Sequence, residues 1–299
     1  MKWRNKRRSS NVEDRRGQSS GGSGGGLNPM LIGTLIKFLF SKTGLIIAGI
    51  LLVISFATGT NPLTFIGNLV GGGSSNQFQS SETYQGTAEE NELAEFSEQV
   101  LASTESVWNK ILSDYREPTL VLFTRSVNSG CGSASSSTGP FYCPADEKLY
   151  IDLSFFQEMA TKLNAPGDFA QAYVIAHEVG HHIQTITGIS KKVQQMRGKV
   201  SQTEYNKYSV MLELQADFLA GVWAHHAKNM NLILEPDDLE EALNAANAIG
   251  DDRLQKQSSG RVVPDSFTHG TSAQRMRWFK KGFDTGDINQ GDTFNASSL

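Results

Sequence analysis

Val174-Ile175-Ala176-His177-Glu178-Val179-Gly180-His181-His182 is the stretch on which the fold and chemistry of this chain turn. It lies within Phe169–Thr187, where apolar residues recur at helical spacing between an N-capping Asp168 and a terminating Gly188. Residues four apart on a helix differ by about 40° in projection, so His177 and His181 share one face. Two imidazoles at that spacing can hold one Zn²⁺. Glu178, turned about 100° away, reaches a water beside the metal rather than the metal itself. Histidines and an acid on an apolar helix are costly to bury without a purpose.

A catalytic zinc site takes three protein ligands and keeps a further position open. Glu213-Leu-Gln-Ala-Asp217 supplies the next pair, again four apart, on a long helical pattern over Thr203–Asn229. Glu213 fits the third ligand position. Asp217 fits as acceptor of a ligand histidine's other ring N–H, which fixes the tautomer. His182, His225 and His226 are rivals for the third ligand. His182 points about 100° away from His181, and the pair His225-His226 has no nearby acid to orient it. His269, in Asp265-Ser-Phe-Thr-His269-Gly, and Arg275 are both candidates to stabilise the oxyanion of a tetrahedral intermediate. In this scheme Zn²⁺ lowers the pKa of its water, and Glu178 takes the proton and returns it to the leaving amine.

The chain resembles a family of neutral zinc metallopeptidases of membrane-anchored bacterial proteins. The resemblance runs over essentially the whole length. Its motifs are Asn11-Val-Glu-Asp-Arg-Arg16, Gly139-Pro-Phe-Tyr-Cys-Pro-Ala-Asp146, Tyr150-Ile-Asp-Leu-Ser-Phe155, Val174–His182, Glu213–Asp217 and Gly260-Arg-Val-Val-Pro-Asp-Ser-Phe-Thr-His-Gly270. It implies a minimal, zincin-like domain with a gluzincin-type site. His177, His181 and Glu213 are then the ligands and Glu178 the catalytic carboxylate. The expected function is that of a membrane-anchored zinc metalloendopeptidase acting on a peptide or protein. A zinc amidase acting on cell-wall peptides is an alternative, as is a non-catalytic zinc-binding membrane protein. Glu178 weighs against the last, because a structural zinc site has no use for a general base.

Outward from the motif, the 299 residues carry 27 Lys+Arg against 31 Asp+Glu, with 38% hydrophobic residues. That excludes a collagen, a disordered acidic chain and a multi-span membrane protein. The net charge of −4 divides into +7 over residues 1–42 and −11 over the rest. The basic residues lie in a polar tail rather than on a folded, aromatic-bearing surface, which disfavours nucleic acid as a partner. No charged residue occurs between Lys42 and Glu82, and residues 43–60 are apolar enough to predict one spanning helix. The apolar Met30–Phe40 is expected at the interface, with Lys37 and Lys42 reaching toward headgroups. The positive-inside rule then puts the N-terminus in the cytoplasm and the rest in the periplasm or outside.

The expected domains are a disordered basic tail over 1–29, a membrane segment over 30–60, a Gly/Ser-rich linker over 61–85, the peptidase domain over 86–290 and a short tail over 291–299. Cys131 and Cys143, the two cysteines, enclose a Gly/Ser-rich loop and are expected to form a disulfide in an oxidising compartment. Periodicity predicts helices over Glu89–Leu112, Ser190–Val200, Pro236–Gly250 and Ser272–Phe283, and strands over 118–124 and 148–153. The class is α+β, mostly helical, with a small sheet.

Overall fold

The computed structural model describes residues 1–18, 84–230, 234–235 and 238–299. Two central strands, β2 (Thr119–Phe123) and β6 (Lys148–Asp152), pair in parallel, with Val121 opposite Tyr150. Side chains alternate across a strand. Leu120, Leu122, Leu149 and Ile151 therefore enter the main core, while Val121, Phe123 and Tyr150 cover the other face with Val127 and Cys143. β5 (Phe141–Cys143) lies antiparallel to β6 at one edge, and β1 (Val12–Asp14) lies parallel to β2 at the other. The sheet order is β1-β2-β6-β5, and β3 (Ser126–Ser129) and β4 (Gly132–Ser135) form a separate hairpin. Cys131, just before β4, is disulfide-bonded to Cys143 at the end of β5.

Helices make up most of the remainder. α1 (Ala88–Ile111) opens on a reciprocal cap: Thr87 Oγ1 accepts from the Glu90 N–H, and Glu90 accepts from the Thr87 N–H. α2 (Ser154–Thr161) follows β6. α3 (Asp168–Ile186) is buried over 14 of its 19 residues, as a helix apolar on nearly all sides must be. Gly188 at φ 79° ends it, in the left-handed region that favours glycine. α4 (Ile189–Gln194) leads to α5 (Gln202–Asn229), the partner of α3. α6 (Asp238–Ala248), α7 (Asp251–Ser259) and α8 (Ser272–Thr285) complete the described helices. The helix-rich α+β class is as expected.

Several boundaries differ from expectation. The domain is not confined to 86–290. Residues 1–18 belong to the same compact unit as 84–299, so the disordered tail expected over 1–29 is not found over 1–18. Trp3 is buried edge-on against Phe96, and the Leu120 N–H donates to the Asn11 carbonyl at 2.9 Å. The expected C-terminal tail is also packed: Thr293 is buried and donates to the Met211 carbonyl at 2.6 Å. Asp168 is the first residue of α3, and Gly167 takes the cap position. Among the described residues no helix is long and apolar enough to cross a membrane. The expected membrane segment over 30–60 and most of the 61–85 linker lie outside them.

Candidate active site

α3 and α5 bring His177 and His181 together with Glu213 and Asp217 because their backbones can approach closely. A Cβ on Gly180 would lie 3.0 Å from both the Cα and the carbonyl oxygen of Ala216. Gly180 precedes His181, and Ala216 sits between Glu213 and Asp217. Small residues at this crossing thus set the separation of the functional faces.

At the crossing, His177 Nε2 is 3.1 Å and His181 Nε2 is 3.4 Å from the two Glu213 carboxylate oxygens. One donor atom from each of the three residues lies within 4.8 Å of the others. Each imidazole has an acceptor at its other nitrogen. His177 Nδ1 donates to Asp217 Oδ1 at 2.8 Å, and His181 Nδ1 donates to Gln184 Oε1 at 2.9 Å. An Nδ1–H held this way leaves the Nε2 lone pair facing the triad, the tautomer that a metal ligand requires. The donor chemistry, two neutral imidazoles and a carboxylate, fits Zn²⁺ with an open position.

Asp217 is fully buried yet charged. Burial alone would raise its carboxyl, but Arg275 and His177 outweigh this and hold it down at about 2. Arg275 Nε and Nη2 reach its two oxygens at 2.8 and 2.9 Å, and Tyr173 donates to Oδ1 at 2.5 Å. Arg275 Nη1 also donates to the Ile249 carbonyl at 3.4 Å. Burial likewise opposes the charged form of His177, but Asp217 and Glu213 raise it to about 10. Glu213 is held well below the usual carboxylate range by His181 and His177 against the effect of burial. Protons and a metal cation therefore compete for the same Nε2 atoms.

The other candidates separate cleanly. Glu178 lies beside the triad on the wall of a cavity of about 550 Å³, and its carboxylate makes no hydrogen bond to another described residue. His269 lines the same cavity with its side chain half exposed. Its Nδ1 is 3.2 Å from Asp251 Oδ1, and the Asp251 bond raises its pKa above the ordinary imidazole value. Asp251 Oδ2 accepts the N–H groups of Thr268, His269 and Gly270 at 2.7, 2.6 and 3.0 Å, clamping the turn that carries the imidazole. Arg275 is committed to Asp217, so it orients an orienting group rather than meeting an oxyanion.

The rival histidines are all engaged elsewhere. His182 Nε2 donates to the Arg116 carbonyl at 2.5 Å, and its Nδ1 is 3.1 Å from the Tyr142 hydroxyl. Burial lowers its pKa, consistent with a neutral ring. His225 Nδ1 donates to Phe283 O at 2.7 Å and His226 Nε2 to Gly286 O at 2.9 Å, capping the end of α8.

Gln184 and Asp251 were not singled out in the sequence. Gln184 follows His181 by three residues and so shares its face, the one local signal available. Asp251 carries no sequence signal, since it follows the expected end of a helix at Gly250 and the helix it begins shows no apolar periodicity.

Residues 1–294 match the family described as "Putative neutral zinc metallopeptidase". The chain belongs to this family. The "Uncharacterized protein YpfJ" of Escherichia coli is 49% identical over 301 residues, spanning 99% of this chain and all of that protein. An uncharacterized protein of Mycobacterium tuberculosis is 44% identical over 207 residues, spanning 66% of this chain and 69% of that one. No solved structure matches the chain.

Proposed function

We propose that this chain is a zinc-dependent peptidase of gluzincin type, with a minimal zincin-like domain. The observation that carries this is the convergence of His177, His181 and Glu213 on one point beside an uncommitted, buried Glu178. Family membership supports zinc as the metal.

His177, His181 and Glu213 would hold the ion. When bound, zinc supplies a Lewis acid that polarises a substrate carbonyl and acidifies water. The chain's own groups do the rest. Asp217 and Gln184 fix the two rings, so the ligand geometry is set before substrate arrives. Glu178 takes the proton of the attacking water and returns it to the leaving amine. His269, held by Asp251 on the cavity wall, donates to the oxyanion. Pro140, Phe141, Phe155, Val174, Leu212 and Leu254 give the cavity an apolar lining that excludes water from the reacting bond.

The test couples zinc analysis of the full chain to cleavage of a peptide library. The parent should carry one zinc per chain and cut peptides. Glu178→Gln should keep the zinc and lose about 10²–10⁴-fold in kcat, the usual contribution of general acid–base catalysis. Equal cleavage by Glu178→Gln would remove Glu178 from the chemistry. A zinc-loaded parent that cuts no peptide, and unfolds on chelation, would make the site structural.

A further inference from the structure

We propose that residues 1–18 and residues 84–299 stand in one compartment, on the same side of any membrane the protein meets. This differs from the sequence expectation of a cytoplasmic N-terminus with an exported domain.

Three independent observations carry the proposal. The first is backbone pairing. Strand β1 is the parallel edge of the domain's own sheet, in register from Val12↔Leu120 to Asp14↔Leu122. The Arg15 N–H continues the ladder to the Leu122 carbonyl at 2.8 Å. Paired strands lie about 4.8 Å apart, and the hydrocarbon core of a bilayer is about 30 Å thick. A strand cannot pair across it.

The second is charge. The basic residues that read as a topology signal are matched by acids of the folded domain. Arg4 pairs with Glu92, Arg7 with Glu105 at 2.8 Å, and Arg8 with Glu95 at 2.5 Å and Glu98 at 3.7 Å, all four acids lying on α1. Glu13 of β1 receives Lys148 of β6 at 2.5 Å. Arg16 is buried, forks onto Asp14 and donates to the Glu90 carbonyl at 3.0 Å. This complementarity accounts for a basic segment facing an acidic helix without any appeal to retention in the cytoplasm.

The third is where the two ends meet. Gly17 has φ 72°, and a Cβ placed on it would lie 2.2 Å from the Tyr84 ring. The Arg16 guanidinium sits over that ring at 5.3 Å, and the Gly17 N–H donates to Thr124 at 3.0 Å. The chain thus leaves the domain at residue 18 and rejoins it at residue 84 from adjoining points on one surface.

The test uses the full chain in intact cells of its natural type, with single cysteines introduced at two exposed serines, Ser10→Cys and Ser258→Cys. Each replaces one exposed atom, and the parent chain is labelled in parallel so that any signal from Cys131 and Cys143 is subtracted. A membrane-impermeant maleimide is applied before and after lysis. Ser10→Cys and Ser258→Cys should label to the same extent within about twofold in intact cells, either both reactive or both protected until lysis. One position labelling in intact cells while the other stays protected would place the two on opposite sides and overturn the proposal.

Discussion

At the scale of single residues, the site is a chain of orienting bonds that ends in charge. His177 is held by Asp217, and Asp217 by Arg275 and Tyr173. His181 is held by Gln184, whose amide donates to the Leu212 carbonyl at 2.7 Å and to Gln215 at 3.1 Å. Groups that orient metal ligands typically account for 10–100-fold in metal affinity. Asp217→Asn and Gln184→Leu should each weaken zinc by about that factor in a chelator-competition titration, with the triad still present. Arg275→Met should act differently. It leaves Asp217 buried without its cation, a loss of about 3–5 kcal/mol in urea unfolding for a broken buried pair. Unchanged stability in Arg275→Met would mean that water or another donor satisfies Asp217, and its proposed role would fail.

At the scale of elements, the site depends on how closely α3 and α5 approach. Gly180→Ala forces a methyl against the Ala216 backbone, where no side chain can swing aside. The helices must part, carrying His181 from Glu213. The contact asks for a shift of a few tenths of an ångström, and a misplacement near 1 Å costs about 10²-fold in rate, so peptide hydrolysis should fall by less than that factor while helix content by circular dichroism is kept. The disulfide acts on the other edge of the site, tying the hairpin to β5, whose Phe141 and Tyr142 line the cavity. Replacing both cysteines with serine should cost about 3 kcal/mol, the chain-entropy value for a short loop, read as a lower urea midpoint. The elements legible in the sequence were α1, α3, α5, α6, α8, β2 and β6, long enough to show a period, and the start of α4, whose expected range of Ser190–Val200 runs past its end at Gln194. The triad was legible for the same reason, since two i,i+4 pairs on periodic helices must each share a face. Three- and four-residue strands carry too few side chains to show alternation, so β1, β3, β4 and β5 gave no signal. α7, with sequence Asp-Asp-Arg-Leu-Gln-Lys-Gln-Ser-Ser, has no apolar stripe to read. Asp251 and His269 meet only because the chain turns back over 18 residues, which no local spacing encodes.

At the scale of the whole molecule, the chain's first atoms close its core. The Met1 ammonium is 3.0 Å from Asp168 at the start of α3, 3.3 Å from Asp238 at the start of α6 and 3.1 Å from Glu235. Asp168, Asp238 and Glu241 gather three carboxylates at this point, and the amine supplies the cation that such a cluster needs. Burial opposes the charged amine, but its carboxylate partners prevail and raise it from 8.0 to about 10. A group whose folded pKa lies above its unfolded value stabilises the fold fully below the unfolded pKa and ceases to as pH rises through the folded one. The ammonium contribution is therefore intact below pH 8 and disappears as pH rises through about 10. Thermal unfolding of the chain should show a fall in Tm across that window. An N-acetylated chain has no ammonium to lose. Its Tm should be lower at pH 7 and should converge on that of the free-amine chain above pH 10. Parallel curves at all pH values would show that the amine does not carry the stability that α3 and α6 draw from this corner. The helix bearing His177 and His181 would then owe its footing to other contacts.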